Sequence, residues 1–181
     1  NCIEIPENIA GLLCGAIISD TLLFRSPTCT QEDKDAAQAL AKIAHIQTEE
    51  LAQAMFAAGS NLHSKSEEEI FYQDFKRFTA GTVTYGVGQI TSMAQEELDE
   101  IKARMIPYMH KAKKNHDVDM VFFMLTNIIN ESTQLLYSDE TAREVAETSF
   151  MVPAKDNALY LPGVVSRKKQ LIPRLMATLQ Q

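Results

Sequence analysis

A chain of 181 residues, 45% apolar and 23% charged, is sized for one domain or one and a fraction, with enough apolar content for a buried core. With 17 basic against 24 acidic side chains the net charge is -7 and the isoelectric point about 5.1, which argues against a broad electropositive face for nucleic acid or an anionic membrane. Any anion it binds must be gripped locally. Cys2, Cys14 and Cys29 are too few for a disulfide framework and form no Cys-x-x-Cys pair, so a reducing, cytoplasmic setting is expected. The longest apolar stretch, Ile9 to Ile18, is far short of the roughly 18–20 residues that span a bilayer, and Glu4 and Glu7 stand where a secretory leader needs positive charge. The opening without Met reads as the start of a piece of something longer.

From Pro6 to Ser19 the pattern predicts a helix, with Ile9, Leu12, Leu13, Ala16 and Ile17 recurring at three- and four-residue steps and Asp20 at its end. Thr30 and Asp33 predict an N-cap ahead of an Ala-rich helix through Ala44, and Thr48 caps a third helix that stops at Gly59. The polar segment Ser60–Ser66 marks the main boundary, giving units 1–60 and 67–181 joined by a 61–66 linker. Beyond it come a short acidic helix from Glu67, a β-like stretch Lys76–Thr91 and a long helix Glu96–Lys114 interrupted at Pro107. Val118–Ile129 is apolar enough for a central strand, and another strand follows near Thr133–Tyr137. Asp139 caps a helix to about Ser149, Ala158–Leu161 forms a strand edge, and Ser166–Leu179 is helical around Pro173. Helices alternating with strands predict an α/β layered fold.

The sharpest local feature is Ser166-Arg167-Lys168-Lys169-Gln170. Cations in a first helical turn oppose the helix dipole, so local stability does not account for them, whereas backbone N–H groups together with Arg and Lys heads make a phosphate site. A solvated basic turn is the plainer alternative. Asp20, a carboxylate at the end of an apolar segment, suits a metal ligand, although a turn-forming Asp is commoner. Lys76, between aromatics at the mouth of a strand, faces an anion or simply guards a sheet edge. Gly86-Val87-Gly88 lacks the rest of a dinucleotide fingerprint and reads as a strand irregularity. His45, His63, His110 and His116 lack ligand spacing and read as surface or boundary residues, and Met105, Met109, Met120 and Met124 as core filler.

Taken together, Ile17-Ile18-Ser19-Asp20-Thr21-Leu22-Leu23-Phe24, Ser26-Pro27-Thr28-Cys29-Thr30, Asp74-Phe75-Lys76 and Gly163-Val164-Val165-Ser166-Arg167-Lys168-Lys169-Gln170 closely resemble the manganese-dependent family II inorganic pyrophosphatases of the DHH phosphoesterase superfamily. The resemblance implies an α/β fold in which residues 1–60 are the helical end of a DHH domain and 67–181 a mixed-sheet DHHA2 domain. It implies diphosphate as substrate, bound by Lys76, Arg167 and Lys168, and Asp20 as one ligand of a manganese pair, with cobalt or magnesium as alternatives. The family's Asp-His-His motif is absent from this sequence, so most of the metal site is expected in a missing N-terminal half and the chain alone is expected to be inactive. Two other readings stand beside it: an exopolyphosphatase-like relative, and a non-catalytic domain that binds a phosphate ligand or a partner protein. Leu12, Leu13, Ile17 and Ile18 are expected to lie exposed without that half, leading to homo-oligomerisation or partial disorder of residues 1–60.

Overall fold

A computed structural model describes residues 4–59 and 62–180, which fall into two compact units, Asn1–Ser60 and Asn61–Gln181. The first unit is three helices, α1 (Glu7–Thr21), α2 (Gln31–Ile43) and α3 (Thr48–Gly59). Thr30 and Asp33 form a reciprocal capping box at the start of α2, satisfying backbone donors that would otherwise lack partners. α1 packs one stripe inward: Ala10, Cys14 and Ile18 are fully buried and share a core with Ala37, Leu40 and Ala52, and the Cys14 thiol donates to the Ala37 carbonyl. Ile9, Leu12 and Leu13 face outward, Leu12 being 72% exposed. The stripe expected to be exposed is therefore corrected at Ile18, which is buried, and at Ile17, which is half-buried. The reason is close helix packing: α1 lies so near α3 that a Cβ on Gly15 would be 3.2 Å from the Met55 sulfur, and the face that carries Ile18 is covered.

The second unit is a three-layer sandwich. Its five-stranded sheet has spatial order β1-β2-β3-β4-β5, with β1 (Phe75–Ala80), β2 (Val83–Ser92), β3 (Met120–Asn127), β4 (Ser132–Tyr137) and β5 (Ala158–Pro162). Only β2 and β3 are parallel, because α5 (Gln95–His116, containing Pro107) carries the chain between them, while the other neighbours run antiparallel. β3 is buried along its whole length, as expected of a central strand covered on both faces. α4 (Glu67–Tyr72) and α5 cover one face, with Ile70, Phe71, Ile101, Met105 and Met109 packed on Val121 and Phe123. α6 (Glu140–Phe150) and α7 (Ile172–Leu179) cover the other, with Ala142, Phe150, Leu171 and Leu175 on Val87, Phe122 and Met124.

Three readings change here. The single β-like stretch is a hairpin, turned at Gly81–Thr82 with Gly81 at φ +61, a value glycine adopts without steric cost. Gly86 and Gly88 are no irregularity, since the register runs unbroken through both on both sides. They are hollows for aromatic rings: a Cβ on Gly88 would lie 2.5 Å from Phe123 Cδ2, and one on Gly86 2.6 Å from Phe75 Cε2. The segment read as a linker is tied down over residues 62–66. Leu62 is buried in the α5-side core, and the Arg104 guanidinium donates to the Leu62 and Lys65 carbonyls and to Glu67.

Candidate phosphoanion site

Three threads converge at the β1 corner of the second unit. β1 is an edge strand, and Lys76 sits on it directly opposite Val87 of β2. Directly opposed residues of an antiparallel pair share a face, so Lys76 emerges on the side where Val87 packs under Leu171 and Leu175. Lys76 is exposed. The same face carries the loop 163–166 and the π-helical turn Arg167–Leu171 that leads into α7.

The loop is pinned to the sheet by a directional chain of hydrogen bonds. Gln89 Nε2 donates to Thr126 Oγ1 (3.2 Å), the Thr126 and Thr133 hydroxyls pair at 2.9 Å, and Thr133 Oγ1 donates to the Val164 carbonyl (2.6 Å). Gln89 Nε2 also reaches the Val165 carbonyl at 3.1 Å. Such chains polarise one another in a buried setting and fix the loop's height over β2, β3 and β4. Gln170 closes it from the other end: its Oε1 accepts from the N–H groups of Val165 and Ser166, and its Nε2 donates to the Gly163 carbonyl. Ser166 caps the turn by accepting from the Lys169 N–H.

This alters the expectation of an anion cradled by free backbone amides. Gln170 and Ser166 already take the N–H groups of residues 165, 166 and 169, so the loop's polarity is largely spent on holding its own shape. The Arg167 side chain is turned inward. It is only 8% exposed and folds back across β2, Nη1 donating to the Asp74 carbonyl (2.6 Å) and the Val87 carbonyl (3.1 Å) and Nη2 to Asp74 Oδ1 (2.7 Å). Lys76 and Arg167 thus meet around Asp74 and Val87, while Lys168 and Lys169 follow on the turn with exposed side chains. Of the residues that set the loop, sequence pattern points to no such role for Gln89, Thr126 and Thr133, and names Gln170 and Asp74 only as letters of their motifs. The usable signal was the polar residues interrupting strands that are otherwise apolar.

Asp20 belongs to the first unit. It lies exposed in the last turn of α1, just ahead of three successive left-handed residues, Leu22 (φ 50), Leu23 (φ 51) and Phe24 (φ 65). Such a run costs on the order of 1 kcal/mol per residue and persists only where surroundings enforce it. Here buried Thr21 does so, donating to the Ile17 carbonyl and accepting from the Phe24 N–H. Among the described residues, no three His, Cys, Asp or Glu side chains lie together as metal ligands would. A lone exposed carboxylate does not hold a metal pair, so the described residues of this chain do not make that centre.

The three-layer mixed sheet with a cation-bearing corner has a recognised identity. Residues 53–178 match the DHHA2 domain model, and the chain belongs to that family. It is 46% identical over 178 residues to a Clostridium acetobutylicum protein named a probable manganese-dependent inorganic pyrophosphatase, covering 98% of this chain and 57% of the relative. It is 47% identical to a cobalt-dependent inorganic pyrophosphatase of Clostridium perfringens, covering 97% of this chain and 32% of that protein. Among solved structures, one from Methanococcus jannaschii, provisionally named a family II inorganic pyrophosphatase, superimposes with a TM-score of 0.86 at 36% identity, covering 99% of this chain and 58% of that one. The chain therefore spans a little over half the length of the first of these relatives and of the solved structure, and about a third of the cobalt-dependent one.

Proposed function

We propose that this chain is the diphosphate-gripping part of a metal-dependent inorganic pyrophosphatase, which hydrolyses diphosphate to two phosphates. The relatives' names support the reaction, and the convergence of Lys76 and Arg167 on one corner, with Lys168 beside them, supports the role. In this reading Arg167 supplies a fixed two-pronged contact, Lys76 and Lys168 supply movable point charges, and together they offset charge on the bound diphosphate and on the departing phosphate. Residues 1–60 are the end of a DHH domain, 61–66 the connection and 67–181 the substrate-binding DHHA2 domain. Asp20 is one ligand of a metal centre, with manganese, cobalt or magnesium as the ion, whose remaining ligands lie in an N-terminal half. The outward stripe Ile9, Leu12 and Leu13 is the surface assigned to that half or, in its absence, to association between copies of this chain. The working setting is a reducing cytoplasm, in keeping with the free thiols Cys14 and Cys29.

The test compares the 181-residue chain with the longest reading frame that contains it. With manganese present, the longer protein is expected to release phosphate from diphosphate faster than from tripolyphosphate, and the 181-residue chain to release none. Preference for longer polyphosphates would favour the exopolyphosphatase reading. Robust turnover by the 181-residue chain would overturn the division of labour.

A further inference from the structure

Arg167 carries five N–H donors, and three are committed: both on Nη1, to the carbonyls of Asp74 and Val87, and one on Nη2, to the Asp74 carboxylate. The two that remain, Nε–H and the second Nη2–H, lie along one edge of the guanidinium, the spacing that matches two oxygens of one phosphoryl group. Asp74 differs from Arg167 in its surroundings, being 47% exposed against 8%. Water therefore screens the carboxylate more than the cation, and the pair keeps a pull on a further anion. Asp74 is itself fixed, since its carbonyl accepts from the Gln89 N–H (3.1 Å) as well as from Arg167. It ties the guanidinium to the same strand start from which Lys76 emerges two residues later.

We propose that Asp74 is a positioning residue that orients Arg167, so that the free guanidinium edge is set for a phosphoryl group before the anion arrives. The role rests on the diphosphate reading above. The gain is preorganisation: the side-chain freedom of an arginine is given up on folding rather than on binding. Asp74 acts here through the position of its acceptor oxygen, because its negative charge by itself repels an anion. The two contributions separate by substitution. Asp74→Asn keeps an acceptor where Oδ1 stands and removes the charge, Asp74→Ala removes both, and Asp74→Glu keeps the charge while moving the acceptor by a methylene.

The experiment is calorimetric titration of inorganic diphosphate into the 181-residue chain and these variants, with the Arg167 Nε–Hε resonance followed by NMR. The expected result is diphosphate affinity within about threefold of the parent, or tighter, for Asp74→Asn, and a loss of tenfold or more for both Asp74→Ala and Asp74→Glu. The Arg167 Nε–Hε signal should stay sharp in the parent and Asp74→Asn, and broaden in the other two. Should Asp74→Ala fail to fold, Asp74→Glu and Asp74→Asn decide. Parent-like affinity in Asp74→Glu or Asp74→Ala, or tenfold loss in Asp74→Asn, overturns the positioning role while leaving the diphosphate reading intact. A parent chain that binds no diphosphate defeats the diphosphate reading, and the positioning role with it.

Discussion

Substituting Gly88 by Ala tests how tightly the sheet beneath the candidate phosphoanion site is built. The added methyl would lie 2.5 Å from Phe123 Cδ2 and 2.6 Å from its Cε2, with the Phe71 carbonyl oxygen 3.5 Å away on the same side. Phe123 cannot give way cheaply, because it is fully buried in the central strand and stacked on Phe71 at a centroid distance of 5.7 Å. Gly88 is not among the positive-φ residues, so backbone strain plays no part and alanine would otherwise gain about 0.4–1 kcal/mol by restricting the unfolded chain. Overpacking a closed core costs about 1–3 kcal/mol, which outweighs that gain and leaves a net loss of about 1–2 kcal/mol. For a unit of this size that corresponds to a fall in melting temperature of roughly 4–8 °C. Urea unfolding of the parent, Gly88→Ala, Phe123→Leu and the double variant provides the assay. The double variant should be less destabilised than the sum of the singles by about 1 kcal/mol or more, because the shorter side chain frees the space that the methyl takes. Stability equal to or above the parent in Gly88→Ala, or strict additivity, would refute the argument.

Two further outcomes follow from buried polar groups. Tyr85 is fully buried and its hydroxyl has no hydrogen-bond partner among the described residues, so Tyr85→Phe should stabilise by about 1 kcal/mol in urea unfolding, and a loss would show that the hydroxyl is bonded after all. His116 packs between Phe75 and Tyr72 and bonds the Tyr72 hydroxyl at 2.5 Å, and burial, assisted by Arg77, holds its imidazolium pKa below the ordinary 6.5. A base depressed in the folded state binds its proton more readily when unfolded. Its contribution is therefore complete above pH 6.5 and is lost as the pH falls from there through the folded value. Unfolding free energies measured from pH 7.5 to 5 should decline in the parent and decline less in His116→Phe, and identical profiles would contradict the assignment.

Local chemistry with a short reach was readable from sequence, and contacts across the chain were not. The capping box of Thr30 and Asp33, the Asp139 cap that accepts from the Ala142 N–H, and the apolar central strand all follow from neighbours within a few residues. The hairpin was read as one stretch because Gly81-Thr82 lacks the Asn-Gly or Asp-Gly signature of a two-residue turn. The α1 stripe was assigned to the wrong face in part because both faces of that helix are apolar, and periodicity does not say which one a neighbouring helix will cover. Arg167 and Lys76 stand out in the sequence through their motifs. The bonds that turn Arg167 inward join residues 93 and 80 positions apart, a separation at which local pattern carries no information. Gln170 illustrates the same limit: its place at the end of Ser-Arg-Lys-Lys-Gln is visible, but its hold on Val165 and Ser166 comes with the wide π-helical turn.

The central claim is that Lys76, Arg167 and Lys168 form one receptor for two linked phosphoryl groups. Chemical-shift mapping of the isotope-labelled 181-residue chain, titrated with diphosphate in the absence of manganese, tests it most directly. The account predicts saturable shifts centred on Lys76, Arg167 and Lys168, and their loss in a Lys76→Ala, Lys168→Ala double variant, whose truncated side chains are exposed so that the melting temperature is retained. Shifts centred elsewhere, or unchanged saturation in the double variant, would contradict it.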